Sequence, residues 1–504
     1  MTIAQICILL AIAVYLLAML GVGVWFANKN RSVDDFYLGG RKLGPFVTAM
    51  SAEASDMSSW LLMGLPGVAY LTGLAEAGWT ALGLVIGTYL NWLIVARRIR
   101  RYSHRLGAIT VPQFFSKRWG DDRNLLSAIA AVVIIVFFVP YTASGFSACG
   151  KLFHTLFGMD YVTAMLISAA VIVIYTVMGG FLAASFTDLV QSIIMTVALV
   201  VVLGFGVANA GGMDAVLENA ESLAGYLSLS HIHDPATGGS NPYSLLTICS
   251  LLAWGLGYFG MPHILLRFMA IEEEEKLALS RQVATTWVVI SMAVAIFIGV
   301  VGNGMTHAGT LEALADSETI IVRIASLISE HGVLAALLAG IILAGILAAT
   351  MFTADSQLLA ASSSVSQNLA VEFFKLKISG KKSVLLARSV MVGISLVAAY
   401  MARDPDSSVF RVVSFAWAGF GAAFGPVVLF GLFWRRSNRW GALAGMVSGG
   451  VMVFIWKFLI APMGGVWGIY ELLPAFVVSS IAIVTVSLAT APPSQEIVQT
   501  FDEI

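Results

Sequence analysis

Long apolar stretches recur along the whole chain, and each is bounded by charged residues, glycine, proline or a polar cluster. A helix needs about 20 apolar residues to cross the ~30 Å hydrocarbon layer of a bilayer. Thirteen stretches approach or exceed this length, at residues 3–26, 46–70, 79–96, 125–150, 161–178, 181–208, 245–268, 285–304, 333–362, 384–402, 410–433, 441–459 and 469–489. The pattern predicts an all-α polytopic membrane protein with about 13 transmembrane helices, in a single membrane domain over residues 1–504.

The composition of the chain supports the same class. Apolar residues make up 59% of the 504 residues and charged residues 11%, against roughly 25% charged residues in ordinary soluble domains. A soluble globular protein is therefore excluded, and we expect membrane lipid to surround most of the chain. The net charge of -1 does not provide the concentrated basic surface that nucleic acid requires. No obligate protein partner is evident from the sequence.

The distribution of basic residues predicts the orientation in the membrane. Loops rich in Lys and Arg stay in the cytoplasm, and 23 of the 28 Lys and Arg residues fall in alternate connections when the N-terminus is placed outside. That count includes Lys29 and Arg31 after the first stretch and Arg267 after the seventh. The tail at residues 490–504 is then cytoplasmic.

Two of the stretches are poorly suited to a continuous helix. The second contains SAEASDMSSWLLMGLPG (Ser51–Gly67), and the seventh contains WGLGYFGMPH (Trp254–His263). Unwound backbone is tolerated at membrane depth only where protein or a water-filled cavity satisfies it. Each broken stretch opens a block of five, which predicts two inverted repeats at residues 46–208 and 245–433, with extra helices at 3–26 and 441–489. Transporters of this kind bind solute and ion at such breaks.

Four carboxylates lie inside the apolar stretches: Glu53, Asp56, Asp188 and Asp355. A charge at the bilayer centre costs about 2.5–3.5 kcal/mol on insertion scales, so each is a candidate functional residue. Asp56 lies in the first break between Ser55 and Ser58. Carboxylate, hydroxyl and carbonyl oxygens suit a small hard cation.

The ninth stretch offers a complementary polar face. Ala349, Thr353 and Ser356 follow one another at helical spacing, with Asp355 beside them. Segments of the two repeats are thus predicted to hold one Na+ between them.

Four segments carry a resemblance to a known family: SAEASDMSSWLLMGLPG, FFVPYTASG (Phe137–Gly145), WGLGYFGMPHILLRFMA (Trp254–Ala270) and FAWAGFGAAFGPVVLF (Phe415–Phe430). The chain resembles the sodium:solute symporter family from about Asp34 to the last stretch. The resemblance implies the inverted-repeat fold of the leucine transporter and import of L-proline by Na+ symport through alternating access. It also implies location in the bacterial inner membrane and no enzymatic activity.

The resemblance further implies which residues bind. For sodium it points to the backbone carbonyls of Ala54, Met57 and Ala349 and the hydroxyl of Thr353, with Asp56 and Ser58 nearby. For proline it points to Tyr141, Trp254 and Tyr258, with Ser55, Trp60, Gly64 and Pro262 close to the path.

The chain departs from the family pattern at three positions. Phe352 and Asp355 stand where the pattern has serine, and Glu53 stands where it has glycine. In some relatives the corresponding positions form a second sodium site with the equivalent of Asp188, so Asp188, Asp355 and Ser356 are a candidate second ion or proton site. Asp355 either replaces the lost hydroxyl as a sodium ligand or shares a proton with Asp188, because two adjacent carboxylates do not both ionise readily. H+ therefore stands beside Na+ as coupling ion.

Other functions are weighed against transport of proline. A channel needs a continuous polar pore and an intramembrane enzyme needs a catalytic motif, and the stretches contain neither signal. The main rival is a Na+-coupled symporter of another small solute, such as a different amino acid, a sugar or pantothenate.

Overall fold

The computed structural model describes residues 2–27, 33–378 and 380–504 of the chain, and in these ranges it is predominantly helical. Helices α1 to α20 cover, in chain order, Ile3–Ala27, Val33–Leu38, Pro45–Ser59, Leu65–Thr72, Leu74–Leu90, Ala96–Arg105, Val111–Arg118, Leu125–Phe157, Tyr161–Asn209, Met213–Ser222, Leu245–Leu252, Pro262–Ala270, Leu277–His307, Ile320–Ser329, Val333–Ser363, Gly380–Met401, Val409–Phe433, Arg439–Ile455, Leu472–Ala489 and Gln495–Asp502. Lys29 and Arg31, which the charge count places after the first span, lie outside the described residues.

The spans confirm an all-α membrane protein, while the exact count of 13 stays a prediction. In the described part of the chain, 10 helices are long and apolar enough to cross a membrane, and a bent pair, α11 with α12, raises the number to 11. The two other predicted spans are a shorter helix, Tyr161–Val177, and the interrupted pair α3 and α4. Helix α9 contains a kink at Gly180, where φ is 67°, and this kink separates the fifth predicted span from the sixth.

The first break lies where the polar residues and glycine of the second span predict it. Ser58, near the end of α3, has φ 47° and ψ -169°, a conformation that is strained for a residue other than glycine. A wide π-helical turn over Trp60–Gly64 follows, and α4 then begins with proline in its first turn. The regular α-helical hydrogen-bond pattern is therefore interrupted between α3 and α4.

The second break is longer. Helix α11 continues as a tight 3-10 segment over Ala253–Gly260, Met261 is extended, and Pro262 opens α12. The two helical parts are bent by 47°. Proline has no N–H to continue the preceding helix, so the chain restarts there. The broken seventh span that the sequence predicts is confirmed.

The long connection between α9 and α11 folds onto the first broken span. It contains α10 and an antiparallel hairpin of β1 (His231–His233) and β2 (Ser240–Pro242). The buried Tyr226 between them donates its hydroxyl to the carbonyls of Ala69 (2.7 Å) and Tyr70 (3.0 Å). These carbonyls belong to the last turn of α4, where the carbonyl of Ala69 also accepts from the N–H of Gly73 at 3.0 Å. The connection thus caps and holds this half of the broken span.

Glycines bring the backbone of α5 into contact with the second break. A Cβ atom on Gly87 would lie 2.3 Å from the carbonyl oxygen of Gly255, and one on Gly255 would lie 2.2 Å from the carbonyl oxygen of Gly83. Small residues of this kind let membrane helices approach closely.

Substitution of Gly87 by alanine is expected to destabilise the protein. The added methyl group meets the backbone of Gly255 in the second break, and overpacking of a dense core costs about 1–3 kcal/mol or more. Thermal unfolding in detergent, followed by fluorescence-detected size exclusion, measures the effect. Gly393→Ala on α16 is the control, because a Cβ there meets nothing within 4 Å. Equal unfolding temperatures for the two variants would contradict the close contact.

Candidate functional site

A small cavity lies between the two breaks. The space in it that a water-sized sphere can reach is about 10 Å³, so the two breaks are nearly closed on each other. The cavity is lined by Asp56, Met57, Trp60, Leu84, Tyr141, Trp254, Met292, Val413 and Trp417. Aromatic and apolar walls with one carboxylate-bearing segment are typical of a pocket for a small organic solute. The lining includes three of the aromatic residues that the sequence proposes for the solute.

A layer of aromatic rings separates this cavity from a larger open one. Trp254 lies 5.7 Å from Trp60, 5.6 Å from Phe410 and 5.0 Å from Tyr470, measured between ring centroids. Trp254, Phe410 and Tyr470 also line the larger cavity, whose wall carries charged residues such as Glu318. The aromatic layer therefore closes one side of the small cavity. Phe410 and Tyr470 were not predicted from the sequence, since their role depends on tertiary packing alone.

A second small cavity of about 10 Å³ adjoins the first. Hydroxyl-bearing residues from opposite repeats line it, among them Ser58, Ser59 and Thr353. The oxygens Ser59 Oγ and Thr353 Oγ1 are buried and have no hydrogen-bond partner among the described residues. Tyr141 lines both cavities, and its hydroxyl donates to the carbonyl oxygen of Asp56 at 2.9 Å. The structure thus brings the predicted Ser58 and Thr353 together, next to Asp56.

The residues predicted to bind sodium through their backbone carbonyls are neighbours in sequence of residues that line these cavities. Met57 lines the first cavity, while Ala54 and Ala349 are fully buried on α3 and α15. Helices α3 and α15 pack directly against each other, as the prediction of a shared cation site requires.

The remaining predicted solute residues lie outside the lining of the small cavity. The Ser55 hydroxyl donates to the carbonyl of Ala52 in its own helix at 2.8 Å. The ring of Tyr258 packs edge-on against Trp417, with centroids 5.1 Å apart. The Tyr258 hydroxyl is buried, and no protein group in the described ranges hydrogen-bonds to it.

Gly64 and Pro262 have mainly backbone roles. A Cβ on Gly64 would lie 3.2 Å from the Cβ of Phe410, so this glycine admits the ring that covers the cavity. Pro262 opens α12 and lines a separate pocket with Tyr37 and Leu359.

An arginine occupies the candidate second ion site. The guanidinium of Arg267 donates to Ser356 Oγ at 2.6 Å and to Ser51 Oγ at 2.9 Å, and it lies 3.4 Å from Asp188 Oδ2. Ser356 also donates to Asp355 Oδ1 at 3.2 Å. Asp188, Asp355 and Arg267 are each at most 1% exposed. Four elements, α3, α9, α12 and α15, therefore meet around one buried positive charge.

The assignment of Arg267 to a cytoplasmic connection is wrong. The residue is buried on α12, one turn after His263. The sequence contained a signal for this position, since hydrophobic residues surround it in HILLRFMA. An arginine within an apolar run usually faces the protein interior and pairs with an acid. Counting the Lys and Arg residues of each loop does not show that Arg267 pairs with an acid on another span.

Glu53 points towards the third span. Its Oε1 accepts hydrogen bonds from Thr88 Oγ1 at 2.8 Å and Trp92 Nε1 at 2.6 Å. Its Oε2 is buried without a protein partner in the part of the chain that the structure describes. Glu53 thus ties α3 to the span that starts with α5, and it does not line the cavity beside Asp56.

Removal of the arginine charge is expected to destabilise the protein. Arg267→Met leaves the Asp188 carboxylate buried without its partner, and breaking a buried ion pair costs about 3–5 kcal/mol. The double variant Arg267→Met with Asp188→Asn should recover a large part of this loss. Unfolding temperatures of the single and double variants in detergent test the coupling. Additive effects of the two substitutions would show that the charges do not interact.

Comparison with known proteins gives matches over nearly the whole chain. The model of the sodium:solute symporter family matches residues 36–449. The sodium/proline symporter of Haemophilus influenzae is 43% identical, with 98% of this chain and 97% of that protein covered. The osmoregulated proline transporter OpuE of Bacillus subtilis is 40% identical, with 97% and 96% covered. The sodium/proline symporter of Escherichia coli is 40% identical, with 98% and 95% covered.

Solved structures show the same fold. A Na+-coupled sialic acid symporter in a substrate-bound, outward-open state superposes with a TM-score of 0.80 at 18% identity, covering 97% of this chain and 99% of that one. Mhp1, a nucleobase-cation-symport-1 family transporter in a closed conformation, gives a TM-score of 0.51 at 15% identity, covering 93% and 98%. At these identities the likeness concerns the fold.

Proposed function

The chain belongs to the sodium:solute symporter family, and we propose that it imports L-proline together with Na+ by alternating access. Three relatives at 40–43% identity over nearly full length are named as proline transporters or symporters. The observation that carries the proposal is the aromatic cavity at the two breaks, joined through Tyr141 to a hydroxyl-lined cavity. One cavity suits an apolar ring with a charged end, and the other suits a small cation.

The chemistry of proline fits the first cavity. Its pyrrolidine ring can lie against the indole faces of Trp60 and Trp254, and a secondary ammonium is attracted to aromatic faces. Its carboxylate can accept hydrogen bonds from backbone N–H groups at the breaks. Tyr141 and Trp254 are the proposed contact residues, with Tyr258 supporting Trp417 from behind.

The proposed sodium site comprises the Thr353 hydroxyl and the carbonyls of Ala54, Met57 and Ala349, with Asp56 and Ser58 nearby. At Phe352 the chain lacks the serine hydroxyl of the family pattern. Ser59, however, lines the same cavity as Thr353, and its hydroxyl oxygen is buried without a partner among the described residues. We assign the missing hydroxyl ligand to Ser59. Na+ coupling is then compatible with Phe352.

Proton coupling is the second candidate, and one observation favours it. Asp188 and Asp355 share the single positive charge of Arg267, so the cluster is one positive charge short of neutrality when both acids are ionised. A proton on this pair would restore neutrality. The guanidinium of Arg267 already contacts the oxygens of Asp188 and Ser356 that a second Na+ would need as ligands. This contact disfavours a second sodium ion.

We propose a bacterial plasma-membrane location, with the N-terminus outside and the acidic tail inside. In this arrangement residues 46–208 and 245–433 are the two repeats, and the first helix and the last two spans are additions.

The electrochemical gradient of Na+ is large enough to accumulate proline inside the cell. One charge moving inward across ~100 mV gains about 2.3 kcal/mol, a tenfold Na+ gradient adds about 1.4 kcal/mol, and together they support roughly 500-fold accumulation at one-to-one stoichiometry.

Proline uptake by purified protein in liposomes is expected to require an inward Na+ gradient at equal pH on both sides. Labelled proline with inward Na+, K+ or H+ gradients measures the coupling directly. Competition by a panel of amino acids, sugars and pantothenate identifies the solute class. Proline uptake that is independent of Na+ and driven by the proton gradient would contradict Na+ coupling and support H+ coupling. Asp355→Ser should then abolish that uptake.

Two substitutions should separate the solute site from the cation site. Trp254→Ala removes an aromatic wall and should raise the KM for proline about tenfold, with a smaller effect on Na+ activation, because such contacts contribute about 1–2 kcal/mol. Thr353→Ala removes a sodium ligand and should raise the Na+ concentration for half-maximal uptake more than the proline KM. Initial rates over both concentration ranges measure the two effects.

Lys377→Ala is the control for both variants. Its side chain is exposed in the connection before α16, so both constants should stay at their wild-type values. Equal effects of Trp254→Ala and Lys377→Ala on the proline KM would argue against Trp254 as part of the solute site.

A further inference from the structure

Two arginines near the C-terminal helix lie against one aromatic ring. The guanidinium carbons of Arg98 on α6 and Arg118 on α7 are each 4.9 Å from the ring centroid of Phe501 on α20. Phe501 is 8% exposed. Two like charges are thus held close together under a helix of the tail.

The charge of this pair is not balanced by protein groups. Arg118 is 1% exposed, and its Nε donates to the carbonyl of Gly431 at 2.7 Å. Its Nη1 and Nη2, the Nε of Arg98 and the hydroxyl of Tyr102 are buried without an acceptor or donor partner among the described residues. In those residues no carboxylate forms an ion pair with Arg98 or Arg118. Burial lowers the pKa of Arg118 to about 10, and the neighbouring charge of Arg98 acts in the same direction.

Acidic residues of the tail are close by but pair elsewhere. Glu503 pairs with Arg105 at 2.8 Å, and Asp502 pairs with Arg435 at 2.6 Å. Ile497 packs on Gly120, where a Cβ would come within 2.9 Å of its Cδ1. The tail helix is therefore fixed on both sides of the arginine pair and does not neutralise it.

A buried charge is stable only with a partner of opposite sign. Water can accept the hydrogen bonds of the two guanidinium groups, but it does not cancel their charge. Aromatic rings cover the faces of both groups: Phe501 lies against both, Phe433 against Arg98, and Tyr102 and Trp119 against Arg118. The N–H edges of the two groups remain for an anion. We propose that Arg98, Tyr102 and Arg118 form a binding site for a phosphate-type oxyanion beneath the C-terminal helix.

The donor set selects this class of anion. Guanidinium groups bind phosphate oxygens through parallel N–H bonds, and a phosphate group carries up to two negative charges for the two arginines. The unpartnered N–H and O–H groups outnumber the two oxygens of a carboxylate. Free phosphate and the headgroup of an anionic phospholipid share this chemistry.

Binding to the purified full-length protein in a neutral detergent tests the site. Isothermal titration with sodium phosphate is compared with sodium chloride at equal Na+ concentration, with choline chloride added to equalise the ionic strength. Native mass spectrometry of protein from nanodiscs that contain phosphatidylglycerol or phosphatidylcholine tests the headgroup. We expect Arg118→Gln to weaken binding about tenfold or more, because a hydrogen bond to a charged group contributes about 1.5–3 kcal/mol.

Matched variants make the test specific. Tyr102→Phe removes only a hydroxyl and should weaken binding by a smaller factor, which keeps the test decisive if Arg118→Gln does not fold. Arg97→Gln is the control, because Arg97 is exposed and paired with Glu274, away from the tail helix. Specific phosphate binding that the variants weaken supports a free anion, and selective retention of phosphatidylglycerol that the variants lose supports a lipid headgroup. If wild type, Arg118→Gln and Tyr102→Phe respond alike to both probes, the site does not exist.

Discussion

The structure depends on one constraint, which is that backbone polar groups at membrane depth must find partners within the protein. The chain interrupts two spans in the bilayer interior, and each interruption is enclosed by other elements. Glycines on α5 bring backbone against the second break, and Tyr226 caps the helix that follows the first. Tyr141 donates to the carbonyl of Asp56, within the turn before Ser58. Two of these enclosing elements, α5 through Leu84 and α8 through Tyr141, also line the cavity of the candidate site, so contacts that protect the breaks also form part of its wall.

A buried ion pair provides the second connection between the halves. Arg267 on the helix after the second break contacts Ser51 on the helix before the first break, and it contacts Asp188 and Ser356 on helices from both repeats. Charges of this kind resist separation, because each would be left uncompensated in a medium of low dielectric constant. The two broken spans are thus held together where they approach each other, which suits a unit that rocks as one body during alternating access.

The sequence predicted features that depend on local composition and failed on features that depend on packing. Both breaks follow from glycine, proline and serine at specific positions, and the breaks lie where expected. The exact number of spans stays a prediction, because the interrupted second span and the short helix Tyr161–Val177 do not qualify by length as unbroken membrane helices. Arg267 was misplaced because its partners are distant in sequence. Trp254 and Tyr141 came from the resemblance, since isolated aromatic residues in an apolar chain carry no specific signal.

The departure at Phe352 bears on the proposed cation site, which would have to function without one hydroxyl ligand. A sodium ion needs a sufficient number of oxygens around a small space, and the helix that supplies each oxygen is less important than its distance. Phe352 is fully buried and supplies no oxygen to the cavity. Ser59 lies one residue beyond the strained Ser58, and the break turns its hydroxyl into the same cavity as Thr353. Because the break frees α3 from regular helical geometry, consecutive serines can both line the cavity. A loss on α15 can therefore be offset on α3 without any change in the fold.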